Sequence, residues 1–157
     1  FDFNGDNSAE IVFSDENNLY VWGIDTSWGL DPWDRFITYL EDDNHKSWTI
    51  HEYPLVADLD GDGKAEILVV NSENPDYRDY YGLYVLGAAD DDWVSARTWW
   101  NQHAYYVTNI DDYGEVNAGA SNFSTLNSFR QQEPGEFGAL AATDLYLLQE
   151  NEICDNK

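Results

Sequence analysis

Two stretches of this chain set oxygen-bearing side chains at alternate positions of a short loop. The first runs Asp2, Phe3, Asn4, Gly5, Asp6, Asn7, Ser8, Ala9, Glu10. The second runs Asp58, Leu59, Asp60, Gly61, Asp62, Gly63, Lys64, Ala65, Glu66. Carboxylate or amide oxygens recur at loop positions 1, 3, 5 and 9, with glycine at position 4. This is chemistry for a hard cation. Ca²⁺ takes about six to eight oxygens at about 2.3–2.6 Å, and alternate residues of a tightly wound loop can point that many at one centre. The expected side-chain ligands are Asp2, Asn4, Asp6 and Glu10 in one loop and Asp58, Asp60, Asp62 and Glu66 in the other. Backbone carbonyls of Ser8 and Lys64 are expected to add to each set, giving two Ca²⁺ sites. The competing reading is a pair of solvated acidic turns, because Asp, Asn and Gly are ordinary turn formers. Two copies that run into the same kind of downstream segment favour the cation.

An EF-hand is excluded by the same residues. Its loop needs a bidentate Glu at position 12 and a helix on each side. Position 12 is Phe13 in one copy and Val69 in the other. Ile11-Val12-Phe13 and Ile67-Leu68-Val69-Val70 are apolar and largely β-branched, so each reads as a buried strand.

The elements that must hold these loops also repeat. Leu19-Tyr20-Val21-Trp22-Gly23 matches Leu83-Tyr84-Val85-Leu86-Gly87. The loops lie 56 residues apart and these later strands 64 apart, which places an eight-residue insertion near Asn74–Tyr81. Each unit is therefore expected to run strand, loop, strand, turn, strand, then a fourth extended segment. Tyr53–Ala57 is the expected strand into the second loop, and Arg35–Leu40 and Val94–Trp99 are the expected fourth segments. Four short antiparallel strands about every 50 residues are the signature of a propeller blade. The fold class is thus all-β, with about two four-stranded blades over residues 1–137 as part of a larger propeller. A sandwich, the other all-β reading, does not explain a repeated strand–loop–strand unit.

The motif D-x-[DN]-G-D-x-x-A-E followed by a strand resembles the FG-GAP/VCBS repeats of integrin-type β-propellers. Trp99-Trp100-Asn101-Gln102-His103-Ala104-Tyr105-Tyr106-Val107-Thr108-Asn109 is similar to the closing segment of bacterial secreted propellers of that type, and Asn127-Ser128-Phe129-Arg130 fits the end of the pattern. The resemblance covers about residues 1–130. It implies Ca²⁺ held in the loops between the first two strands of a blade, and a place in a secreted or cell-surface protein. Asn4 and Asn7 depart from the family's usual Asp and Gly, so the first site is expected to be weaker. Residues 138–157 read as a linker and the start of a following domain. Within them Ala141–Leu148 resembles the opening of an immunoglobulin-like domain, and Leu145–Glu150 also fits a short terminal helix.

Composition narrows the partners. The 157 residues carry 31 acidic and 7 basic side chains, a net charge of −24. Nucleic acid needs clustered Lys and Arg, so it is not expected as a partner. Two Ca²⁺ would offset four units of charge. The remainder reads as a solubilising surface or as a sign of a salty, Ca²⁺-rich setting. No apolar run is long enough for a membrane-spanning helix. The chain opens on a loop with no strand before it, which reads as a segment of a longer polypeptide. Cys154, the single cysteine, fits either a disulfide partner elsewhere or a free thiol.

Catalysis is not expected. His45, His51 and His103 lack zinc-site spacing, and no GxSxG, P-loop or GxGxxG occurs. His103 reads as a hydrogen-bonded structural residue, and Asn109–Glu115 as a turn rather than a third cation loop. Trp28 and Trp33, beside Asp25, Asp31 and Asp34, fit either packing between blades or a protein- or glycan-binding surface. Two functions follow. One is a non-catalytic Ca²⁺-binding module of adhesion, assembly or ligand binding that contacts other blades. The other is the propeller of a polysaccharide-acting enzyme whose catalytic residues lie outside this segment.

Overall fold

The computed structural model describes residues 1–6, 8–25, 27, 36–47, 52–72, 81–111, 113–117 and 129–132. Trp28, Asp31, Trp33, Asp34, His51, most of the Asn74–Tyr81 insertion and everything from residue 133, including Cys154, lie outside the described residues.

The fold is all-β. Strands β1 (Ile11–Ser14), β2 (Leu19–Ile24) and β3 (Phe36–Asp42) form one antiparallel sheet in the order β1-β2-β3. Strands β4 (Leu55–Ala57), β5 (Glu66–Asn71) and β6 (Gly82–Leu86) form a second, in the order β4-β5-β6. Among the described residues each sheet has three strands, not the expected four. Short β-branched and aromatic runs make the strands, and a tight polar turn joins β1 to β2. Between β1 and β2 the Asp15 carboxylate accepts the N–H groups of Asn17 and Asn18 at 2.7 and 2.8 Å. The side chain thus supplies the turn's hydrogen bonds.

The sheets share one core. Leu19 and Val21 of β2 meet Val56, Ile67 and Val69 of the second sheet in a buried cluster completed by Phe1, Phe3, Ala65 and Ala96. Phe3 packs against Phe1 and Trp93, with ring centroids at 4.9 and 4.6 Å. Residues this deeply buried contribute about 1.5–3 kcal/mol each for the large aliphatic and aromatic side chains. The two loops therefore stand at neighbouring ends of one packed unit.

Three expectations shift. The first unit's fourth segment is β3, which starts one residue later and ends two residues later than Arg35–Leu40. Strand β4 is shorter than Tyr53–Ala57, because Pro54 has no N–H to give a ladder and Tyr53 is engaged elsewhere. Its hydroxyl meets His103 Nδ1 at 3.1 Å, and the Arg130 guanidinium lies 3.5 Å from its ring centre. Val94–Trp99 is not a strand. Its backbone groups go to the loops instead: Val94 N donates to Phe3 O at 3.0 Å, Ala65 N to Val94 O at 3.1 Å, and Asp58 N to Arg97 O at 3.1 Å. A segment committed this way cannot also pair along β6.

That crossing segment is held from behind by buried polar groups. The Arg97 guanidinium donates to the carbonyls of Val107 and Ile110, both at 3.0 Å. Gln132 Nε2 donates to the Arg97 carbonyl at 3.1 Å and the Trp99 carbonyl at 3.2 Å, and Tyr105 Oη donates to Gln132 Oε1. Pairing of this kind keeps a buried guanidinium and amide from costing several kcal/mol. His103 is hydrogen-bonded as expected. Around Asn109–Glu115 the chain turns, with Gly114 N donating to Asp111 O at 3.1 Å and an Ile110–Val116 bridge beyond it.

Candidate metal centres

The two loops fold to the same plan, residue by residue. Each begins where two facing backbone positions pair. Ala57 pairs with Glu66 across β4 and β5. In the first loop Phe1 N donates to Glu10 O and Glu10 N to Phe1 O, both at 2.9 Å. Phe1 therefore stands where Ala57 stands, and β4 leads the chain into the second loop.

Inside the loops, carboxylates and the one amide capture backbone N–H groups. Position 1 leads: Asp58 Oδ1 accepts Gly61 N at 2.7 Å and Oδ2 accepts Gly63 N at 3.1 Å. Asp2 Oδ1 accepts Gly5 N at 2.8 Å and Asp6 N at 3.1 Å. Position 3 follows, with Asp60 Oδ1 accepting Asp62 N at 3.1 Å and Asn4 Oδ1 accepting Asp6 N at 2.9 Å. Position 5 repeats it, Asp62 to Lys64 N at 2.7 Å and Asp6 to Ser8 N at 2.8 Å. Glycine at position 4 adopts φ of +72° at Gly5 and +81° at Gly61, a left-handed conformation that a Cβ disfavours.

Position 9 closes each loop. Glu66 Oε2 accepts Leu59 N and Glu10 Oε2 accepts Phe3 N, both at 2.8 Å. Both glutamates are buried. Ligand-capable oxygens of Asp58, Asp60 and Glu66 come within 4.8 Å of one another, the one group of three such acidic residues found among the described residues. In the first loop Asn4 replaces an acid, and Asp2, Asp6 and Glu10 are not gathered to that closeness. Asp62, Asp6, Asn4 and Ser8 are exposed and Lys64 is half-buried. The structure thus brings together three of the four side chains expected at the second site.

The electrostatics differ in degree. Burial pushes the Glu66 carboxyl up to about 7; the Leu59 N–H pulls it down, and the charges of Asp60, Asp62 and Asp58 push it further up. Burial likewise raises Asp58, against the pull of the Gly61 and Gly63 N–H groups. Glu10 is raised by burial first, then by Asp2 and Asp6. Buried acids crowded together favour whatever positive charge can neutralise them. An all-oxygen donor set with a raised carboxyl fits a hard divalent cation better than it fits nitrogen- or sulfur-seeking metals. Because each of these loop side chains accepts a backbone N–H through at least one oxygen, the arrangement suits holding a cation in place.

Sequence reading missed the residues that connect the loops. Val94 bridges Phe3 and Ala65, and Arg97 and Gln132 anchor the bridge. The only signal was Arg97 itself, one of few cations in so acidic a chain, sitting in an apolar stretch.

Residues 2–69 match the model of an FG-GAP-like repeat. That span takes in both loops, the whole first sheet, all of β4 and most of β5. No curated protein and no solved structure matches the chain.

Proposed function

We propose that this chain is a non-catalytic module that binds two Ca²⁺ ions, one in each nine-residue loop, within a secreted or cell-surface protein. Asp58, Asp60, Asp62 and Glu66 hold one ion and Asp2, Asn4, Asp6 and Glu10 the other, with the carbonyls of Lys64 and Ser8 adding oxygens. The observation that carries the reading is the convergence of Asp58, Asp60 and Glu66 oxygens within 4.8 Å, in a loop whose twin repeats its hydrogen bonds. The FG-GAP-like repeat over residues 2–69 supports it.

The ion's work here is architectural. It neutralises like charges that the fold crowds together, and it ties a strand end to the strand that follows. A ligand that binds only the folded state stabilises it by about 2.7 kcal/mol at 100 times its Kd. For a domain of this size that corresponds to about 5–10 °C in melting temperature. The module then serves adhesion, assembly or the binding of a protein or glycan ligand. Thermal melts of chelator-stripped protein, with and without millimolar Ca²⁺, test the structural role. A gain of that size is expected with Ca²⁺; identical melts would remove the cation from the account. Hydrolysis of any polysaccharide by the purified chain would contradict the non-catalytic reading.

A further inference from the structure

Position 3 of the first loop sets an asparagine directly before the glycine that the loop requires. Asn4-Gly5 is the one Asn-Gly pair in the chain. An asparagine amide is an electrophile, and the backbone nitrogen of the next residue can attack it when no side chain shields that nitrogen. Gly5 provides no shield. Nor can the loop easily trade it for a larger residue, because Gly5 has a φ of +72° and an added Cβ would lie 3.2 Å from Val94 Cγ1. Asn4 and Gly5 are both exposed, so water reaches them. The second loop sets Asp60 before Gly61, and an ionised carboxylate is a far poorer electrophile than an amide. The two loops therefore differ in covalent reactivity as well as in charge.

We propose that Asn4-Gly5 is a site of spontaneous modification: Asn4 converts to aspartate or isoaspartate when the first loop opens, and the closed loop restrains the reaction. The Gly5 nitrogen forms a bond to Asn4 Cγ, the Cγ–Nδ2 bond breaks, and ammonia leaves with the proton that the Gly5 nitrogen gives up. The product is a cyclic succinimide, which water then opens. Cleavage of the nitrogen's bond to Cγ yields aspartate. Cleavage of its bond to the Asn4 backbone carbonyl carbon yields isoaspartate. Either product adds a negative charge. Aspartate gives the first loop the acid that Asp60 gives the second. Isoaspartate runs the main chain through the former side chain, lengthens the loop by a carbon and spoils its alternation of oxygens.

The closed loop restrains the attack through its own hydrogen bonds. The Gly5 N–H donates to Asp2 Oδ1 at 2.8 Å, which ties up the proton that the nitrogen must lose. The Asn4 carboxamide is held at both ends by Asp6. Its Oδ1 accepts Asp6 N at 2.9 Å, and its Nδ2 donates to Asp6 Oδ2 at 3.2 Å. Rotation of the amide breaks those bonds. The attack also builds negative charge on Asn4 Oδ1 among the carboxylates of Asp2 and Asp6, and like charges oppose it. All three bonds are exposed, so local opening is enough to release the pair. The restraint needs no bound cation, since the protein's own groups supply it.

Peptide mapping by mass spectrometry, with chromatographic separation of the isoaspartyl form, follows Asn4 over time at mildly alkaline pH. The folded chain in Ca²⁺ is compared with the same solution in urea, and tryptophan fluorescence verifies the folded state. Conversion is expected to be at least about tenfold faster in urea than in the folded chain. Gly5→Ala in urea is expected to slow it, because a Cβ then shields the nitrogen. Among folded chains Asp2→Ala is expected to convert faster than wild type, while Asp2→Asn, which keeps an acceptor oxygen, stays near it. An Asn4 that persists in urea overturns the site, and a Gly5→Ala chain that converts as fast as wild type overturns the succinimide route. Equal rates in the folded and urea-treated chains overturn the restraint, as does a folded Asp2→Ala that converts no faster than wild type.

Discussion

The second loop is the better-built twin of the first. The two share backbone path, glycine conformation and hydrogen-bond plan, yet Asp58 is 3% exposed while Asp2 is only half-buried. Asp60 carries a charge where Asn4 carries an amide, and Gly63 stands where Asn7 stands. The second loop is also entered by a paired strand, β4, and its Asp58 N–H is held by the Arg97 carbonyl as well. The difference teaches that the motif alone fixes the loop's shape. Burial and charge decide how strongly that shape demands a cation.

Substitutions at position 1 should break the comparison most visibly. Asp58→Ala leaves the Gly61 and Gly63 N–H groups without their acceptor in a buried setting, and is expected to cost about 2–4 kcal/mol. Asp2→Ala, nearer solvent, is expected to cost about 1 kcal/mol. Urea unfolding of both in Ca²⁺ checks this, and equal losses would mean that burial does not separate the loops. Glycine at position 4 comes next. Gly5→Ala and Gly61→Ala each force a Cβ into the left-handed region, at about 1–2 kcal/mol. Gly5→Ala also brings its Cβ to 3.2 Å from Val94 Cγ1, so the melting temperature should fall by more than the left-handed strain alone accounts for. A fall within about 1–2 kcal/mol would show that the crossing segment yields freely at the first loop.

A further effect is a tilt with pH in metal-free protein. Folding raises Glu66 from 4.5 to about 7, so the folded state holds this proton more tightly than the unfolded state. The stabilisation is complete below pH 4.5 and is lost as pH rises through about 7. Metal-free stability should therefore fall across that window, and Glu66→Gln should flatten the fall. Chemical unfolding at stepped pH, wild type against Glu66→Gln, measures the difference; identical profiles would assign the tilt elsewhere. With Ca²⁺ bound the carboxylate form is required, so affinity should rise with pH over the same range.

Much of this was legible in the sequence. Both loops, β1, β2, β5 and β6 follow from alternating oxygen side chains and short apolar runs, because local chemistry determines them. Glu10 and Glu66 could be placed in the loops, but not their bonds to Phe3 and Leu59, since loop closure depends on three-dimensional winding. Val94–Trp99 was misread because an apolar, β-prone run looks the same whether its N–H groups go to a sheet or to loops distant in sequence. Gln132 carried no signal at all. An amide reaching the carbonyls of Val56, Arg97 and Trp99 depends on contacts far apart in the chain.

Titration calorimetry with Ca²⁺ on chelator-stripped protein, comparing wild type with Asp60→Asn and Asn4→Asp, tests the account most directly. Two binding events of unequal affinity are expected. Ligand charge sets the ranking, so Asp60→Asn should weaken the tighter event by about tenfold, or about 1.4 kcal/mol. Asn4→Asp should tighten the weaker event by a similar factor. Absence of heat, or affinities that ignore both substitutions, would contradict the claim that these two loops are cation sites ranked by their acidic ligands.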